Sequence, residues 1–262
     1  MPTLGRGSNP IFTIARFTVR GYLKERVLLV VVAFAFILMI SSYVLAPLAV
    51  GAQNKIIVDI GLASISLLGV LLVILLGASS YSREKEKGIL PSLLAKPISR
   101  VDFVLGKYLG TTITISAVMV FMGCIYLLVT ALSRSELNAT MFLAMYLSVI
   151  EVALLTAVMT FFSSFTSPLL SSFFTLCVFV AGHLSKDLFA FAEHFGNAAF
   201  RLLASVGFYA LPNLSLMNIR SEAVHNLPLL EHYSSSVTMY AGFYTLFFLF
   251  LSSLIFRRKD VV

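Results

Sequence analysis

Long apolar runs alternate along this chain with short polar breaks. Six of them are close to twenty residues or more: about Val27–Leu48, Ile60–Tyr81, Tyr108–Leu132, Met141–Phe162, Leu169–Lys186 and Val237–Phe256. Helix rises about 1.5 Å per residue, so some 20 apolar residues cross the ~30 Å hydrocarbon core of a bilayer. The runs do not alternate polar with apolar every second residue, which excludes the strands of a membrane β-barrel. The pattern predicts an all-α polytopic membrane protein with six transmembrane helices, forming one transmembrane domain over residues 1–262.

Two segments depart from this pattern. Over residues 8–25, Ser8 or Asn9 can cap a helix and Pro10 suits its first turn. Arg16, Arg20 and Lys24 recur every four residues and share one face with Thr13. Ile11, Ile14, Ala15, Thr18 and Tyr22 lie across from them. This reads as an amphipathic interfacial helix anchored by its cations, the alternative being a merely exposed basic tail. Residues 187–236 hold apolar stretches interrupted by Arg201, Gly207 and Pro212. Re-entrant or interfacial helices on the outer side fit them better than a seventh span.

Composition agrees with the membrane reading. The chain is 59% hydrophobic and 12% charged, about half the charge fraction of a soluble domain. Its net charge of +7 lies beside the spans and does not point to nucleic acid. Placing the N-terminus inside puts 14 Lys and Arg on the inner side against 5 on the outer. The positive-inside rule therefore predicts cytoplasmic termini, in what would be a prokaryotic inner or plasma membrane. The first apolar run is too long, and begins too late, for a cleavable signal. Cys124 and Cys177 fall inside apolar runs and read as buried packing thiols. Tyr22, Tyr43, Tyr81, Tyr108, Tyr233 and Tyr240 fall near predicted membrane boundaries, as anchoring tyrosines do.

The most informative polar break is REKEKGILPSLLAKPISRVDFVLGK, Arg83 to Lys107, which this topology places in the cytoplasm. Charged residues carry the chain into water, and Gly88 permits a sharp change of direction. Ile89, Leu90, Leu93 and Leu94 form a short apolar stripe, Pro91 fits a first helical turn and Pro97 ends it. Ser99 is placed to cap the next helix, with Asp102 three residues on. Gly106 and Gly110 form a G-x-x-x-G that permits close helix packing. Physically, the stripe is either a handle for a soluble partner or a connector resting on lipid.

This stretch resembles the cytoplasmic signature of ABC-2 type transporter permeases. Glu86, Gly88, Leu93, Leu94, Ala95, Pro97, Ile98, Ser99, Arg100, Gly106 and Lys107 stand in that family's order. The layout looks closest to the subgroup associated with multicopper-enzyme maturation. The resemblance implies a coupling helix at 83–107 docking on ATPase subunits through Glu86, Gly88, Leu93, Leu94, Pro97 and Arg100. It also implies two ATPases, a second permease copy or a similar permease, and export more often than import. ATP and magnesium would then be held by the partner. The chain itself lacks a phosphate-binding loop: Tyr108 follows Gly106-Lys107, and Val101 stands where the first glycine would be. No cofactor and no enzymatic activity of its own are expected.

Glu151 is the one acid placed inside a predicted span. A charge at the centre of a bilayer costs about 3 kcal/mol or more unless paired, hydrated or protonated. It is therefore either a pathway residue or a satisfied packing acid. His183, His194, His225 and His232 lie in or beside the outer segment, and three acids lie near them in sequence. Histidine with carboxylate could bind a divalent metal, which makes these four the metal candidates, but their spacing fits no zinc motif and no metal site is expected. No serine has a base on a rigid element beside it, which argues against a hydrolase. Two other classes stay open: an ATP-independent transporter or channel, and a membrane anchor or assembly factor.

Overall fold

The computed structural model describes residues 10–23, 26–45, 53–86, 99–132, 138–195, 201, 205 and 211–258 of the 262. These residues form α1 (Pro10–Leu23), α2 (Arg26–Leu45), α3 (Gln53–Glu86), α4 (Arg100–Leu132), α5 (Ala139–Ser163) and α6 (Pro168–Phe195). A 3₁₀ turn (Leu214–Leu216), α7 (Arg220–His225) and α8 (Tyr233–Arg258) follow. Among the described residues there is no strand. Among the described residues five helices carry stretches long and apolar enough to cross a membrane: Lys55–Gly77, Val101–Leu132, Ala139–Ser163, Pro168–Ser185 and Tyr233–Phe256. The first predicted span falls on α2, whose described side chains give a shorter apolar stretch, Val31–Ile40.

α5 lies at the centre, packed by α3, α4, α6, α7 and α8. Nine of the ten residues Glu151–Thr160 are buried. Three of its buried hydroxyls are satisfied within the helix: Ser148 donates to the Ala144 carbonyl (2.9 Å), Thr156 to Val152 (2.7 Å) and Thr160 to Thr156 (2.7 Å). Bonding four residues back is how Ser and Thr enter apolar helices without an orphaned donor. At the end of α5, Thr166 donates to the Phe162 carbonyl (2.7 Å) and Pro168 opens α6, as expected of the Ser-rich turn. Ser99 also caps as its sequence suggests, accepting from the Asp102 N–H at 3.1 Å.

Several expectations change. Lys186 does not end its helix; α6 continues to Phe195, and at 28 residues it outreaches the hydrocarbon core. Asp59, one residue before the predicted second span, lies within the apolar stretch Lys55–Gly77. Cys124 and Cys177 are exposed rather than buried, because α4 and α6 each turn one face away from the bundle. Tyr22 is not a boundary anchor but a buried side chain, 4% exposed, and Tyr108 is buried as well.

α1 also packs differently from a helix lying on lipid. Its apolar face, with Ala15 and Tyr22 buried, rests on α4, while Arg16 and Arg20 are exposed. The two glycines make this approach possible. A Cβ at Gly106 would stand 2.8 Å from Ile14 Cβ and 2.9 Å from the Ile11 carbonyl. At Gly110 the neighbours are Thr18 Cβ (2.7 Å) and the Ala15 carbonyl (2.8 Å). Both helices advance four residues between these contacts, so α1 runs parallel to the start of α4. Phe12 and Phe17 stay exposed on the flanks of α1.

Candidate functional site

The coupling residues inferred from resemblance fall mostly outside the described residues. Gly88, Leu93, Leu94 and Pro97 belong to 87–98. Glu86 ends α3 and Arg100 begins α4, with neither side chain described; Lys24 and His194 are likewise outside the described side chains. The structure does describe what the loop is attached to. Tyr22 of α1 donates its hydroxyl to the Leu76 carbonyl of α3 (3.0 Å) and lies 3.4 Å from Thr111 Oγ1 of α4. Leu76 and Thr111 are buried. The two helices that flank the loop are thus joined, ten and eleven residues from their loop ends, by one side chain from a third. Nearby, buried Lys107 stands over the Phe103 ring, 5.3 Å from its centroid, and Phe103 stacks on Phe256 of α8 at 5.8 Å.

A second polar region sits in the other half of the bundle. A cavity of about 340 Å³ opens between α2, α3, α5, α6 and residues 217–220. Glu151 lies at its floor, only 1% exposed. Its Oε1 is 3.5 Å from Nε2 of His183, and Ser66 Oγ donates to its Oε2 at 3.5 Å. At the rim Arg220 Nε pairs with Asp59 Oδ1 at 2.8 Å, both side chains being near half exposed. From Asp59 to Ser66 is two turns of α3, so the floor lies roughly 10 Å below the rim. Leu62, Phe179, Met217 and Ile219 supply apolar wall.

The 211–226 segment closes one side of this cavity. Leu214, Met217, Ile219 and Ala223 are buried in the main core, so 211–226 is a seated cap rather than a loop on the surface. Tyr240 Oη accepts from the Asn213 N–H (2.8 Å), and Tyr233 Oη donates to the Leu216 carbonyl (2.7 Å). Asn226, in the left-handed conformation at φ 50°, ends α7.

The sequence singled out Glu151 and His183 separately and missed that they meet. It also missed Ser66, Asp59 and Arg220. The available signal was weak: a histidine in an apolar run, and an acid just before another. His225 and His232 are exposed and away from this pair. Among the described residues no three His, Cys, Asp or Glu side chains come together.

The fold and these two polar regions define the class: an all-helical polytopic membrane protein with a cavity inside its bundle. The family model described as "ABC-2 family transporter protein" matches residues 12–261, and the chain belongs to that family. Membership makes it a membrane component of an ABC transporter, a transport subunit rather than the ATPase itself. No curated protein matches the chain.

Proposed function

We propose that this chain is the permease subunit of an ATP-driven exporter, coupled to separate ATPase subunits through the 83–107 loop. The carrying observation is the family match over residues 12–261. In this reading α2 is the sixth span, both termini are cytoplasmic, and two permease copies or two similar chains enclose the path. Two ATPases dock on the loop, with Glu86, Gly88, Leu93, Leu94, Pro97 and Arg100 at the contact. Glu151 serves the transport path. The Tyr22 bridge supports the mechanical part of this reading: a displacement of the loop acts on α3 and α4, and Tyr22 holds them to move as a pair.

The test is purification of a tagged chain from its native membrane in mild detergent. A stoichiometric ATPase subunit should accompany it, and Leu93→Asp with Leu94→Asp should remove that subunit. Recovery of the chain without any ATPase in several detergents would sink the proposal. An ATP-independent transporter is the second reading. Its support is that Asp59, Glu151 and His183 all lie in apolar spans, more polar groups than Glu151 alone. Transport by the purified chain in vesicles without nucleotide would decide for it.

A further inference from the structure

The hydroxyl protons of the three serines lining the Glu151 cavity are all committed, and its free N–H donors, on Asn218 and Arg220, stand at the mouth. His183 Nδ1 lies 3.3 Å from the Phe179 carbonyl, which can only accept, so Nδ1 carries the hydrogen. In the neutral ring Nε2 is then a bare acceptor, and it faces the carboxylate Oε1 of Glu151 at 3.5 Å. Ser64 Oγ has given its proton to the Ile60 carbonyl (2.7 Å), Ser148 Oγ to Ala144 (2.9 Å) and Ser66 Oγ to Glu151 Oε2 (3.5 Å). Their lone pairs remain. Glu151 Oε1 is buried without a hydrogen bond among the described residues. Deep in the cavity there are therefore acceptors and one carboxylate, and few donors to meet them. The nearest cation, Arg220, is held at the rim by Asp59.

A buried acceptor without a donor is costly, and a buried carboxylate more so. One proton shared by Oε1 and Nε2 satisfies that pair alone, whereas a group bringing positive charge and several N–H donors satisfies the pair and the serine lone pairs at once. A metal ion fits poorly, because His183 and Glu151 are only two ligands and a zinc site commonly uses three or four protein ligands. The apolar wall and the cavity volume admit an organic body behind the charged head. We infer that the cavity is a binding site for a primary ammonium group on a small apolar body, with its N–H donors directed at Glu151 Oε1 and His183 Nε2. The inference rests on this geometry and holds whether or not the cavity lies on the transport path.

The experiment uses the full chain in lipid nanodiscs with calorimetric titration. The probe is phenethylammonium, set against phenylacetate, similar in size but anionic, and tetramethylammonium, which has charge without N–H. Phenethylammonium should bind saturably, and the other two should bind at least about tenfold more weakly. Glu151→Gln should lower the affinity about ten- to a hundredfold, as loss of a charged hydrogen bond does. The same variant should melt no lower than the parent, because a glutamine amide can donate to His183 Nε2 and still accept from Ser66. Ser148→Ala, which removes one acceptor without touching the carboxylate, should weaken binding several-fold and decides the matter if the glutamine variant does not fold. Equal affinity for phenylacetate, unchanged affinity in both variants, or no saturable binding up to about 10 mM would overturn the site.

Discussion

The two polar regions of this bundle are built on opposite terms. At the α1–α3–α4 contact three hydroxyls have partners: the Tyr22 hydroxyl reaches Leu76, Thr111 bonds back to the Lys107 carbonyl at 3.0 Å, and Thr114 to Gly110 at 2.8 Å. Two glycines bring backbone against backbone there. In the Glu151 cavity the side chains stand apart, with 3.5 Å separations and a buried carboxyl oxygen that makes no hydrogen bond among the described residues. Close packing with satisfied groups resists deformation; an open, acceptor-rich space accepts a guest. One end of the molecule is suited to passing on a displacement, and the other to holding something that moves.

The contrast can be broken from either side. The largest effect should come from Gly110→Val. Even its Cβ would meet the Ala15 carbonyl at 2.8 Å, and backbone cannot swing aside as a side chain can. Overpacking of this kind costs about 3 kcal/mol. It should displace α1, so that a cysteine introduced at the buried Ala15 becomes open to a water-soluble maleimide; protection equal to that of the parent would show the glycine groove to be dispensable. Tyr22→Phe comes next. Losing its hydroxyl bond should lower stability by about 1 kcal/mol, read as a lower midpoint in thermal unfolding. An unchanged midpoint would mean the bridge does not hold α3 to α4. Asp59→Asn should be the smallest. The rim pair is near half exposed, where ion pairs contribute roughly 0–1 kcal/mol and less in salt. A cost above about 2 kcal/mol would show a locked rim and erase the contrast.

What could be read from the sequence follows from how local each feature is. Helices declare themselves by runs of apolar residues, and the Ser99 cap and the Pro168 turn by residues adjacent in the chain. Helix ends were less legible: Lys186 and Asp187 look like a boundary, yet a helix that has left the hydrocarbon can carry charge for further turns, as α6 does. Partners were least legible. Gly106 and Gly110 announce close packing but not that α1 fills the groove. Glu151 announces an intramembrane acid, but its neighbours His183 and Ser66 come from two other helices, and nothing in spacing along the chain foretells that meeting.

The back-bonded hydroxyls of α5 have a consequence for the carboxylate they bracket. The carbonyls of Ala144, Val152 and Thr156 each serve a side-chain donor besides the backbone of the helix. A shared carbonyl loosens its backbone bond and lets a helix bend slightly at that turn. Such turns lie before and after Glu151, which makes α5 a flexure with the acid mounted near its middle. Bending it would open or close the 3.5 Å gap to His183 without breaking a hydrogen bond outright.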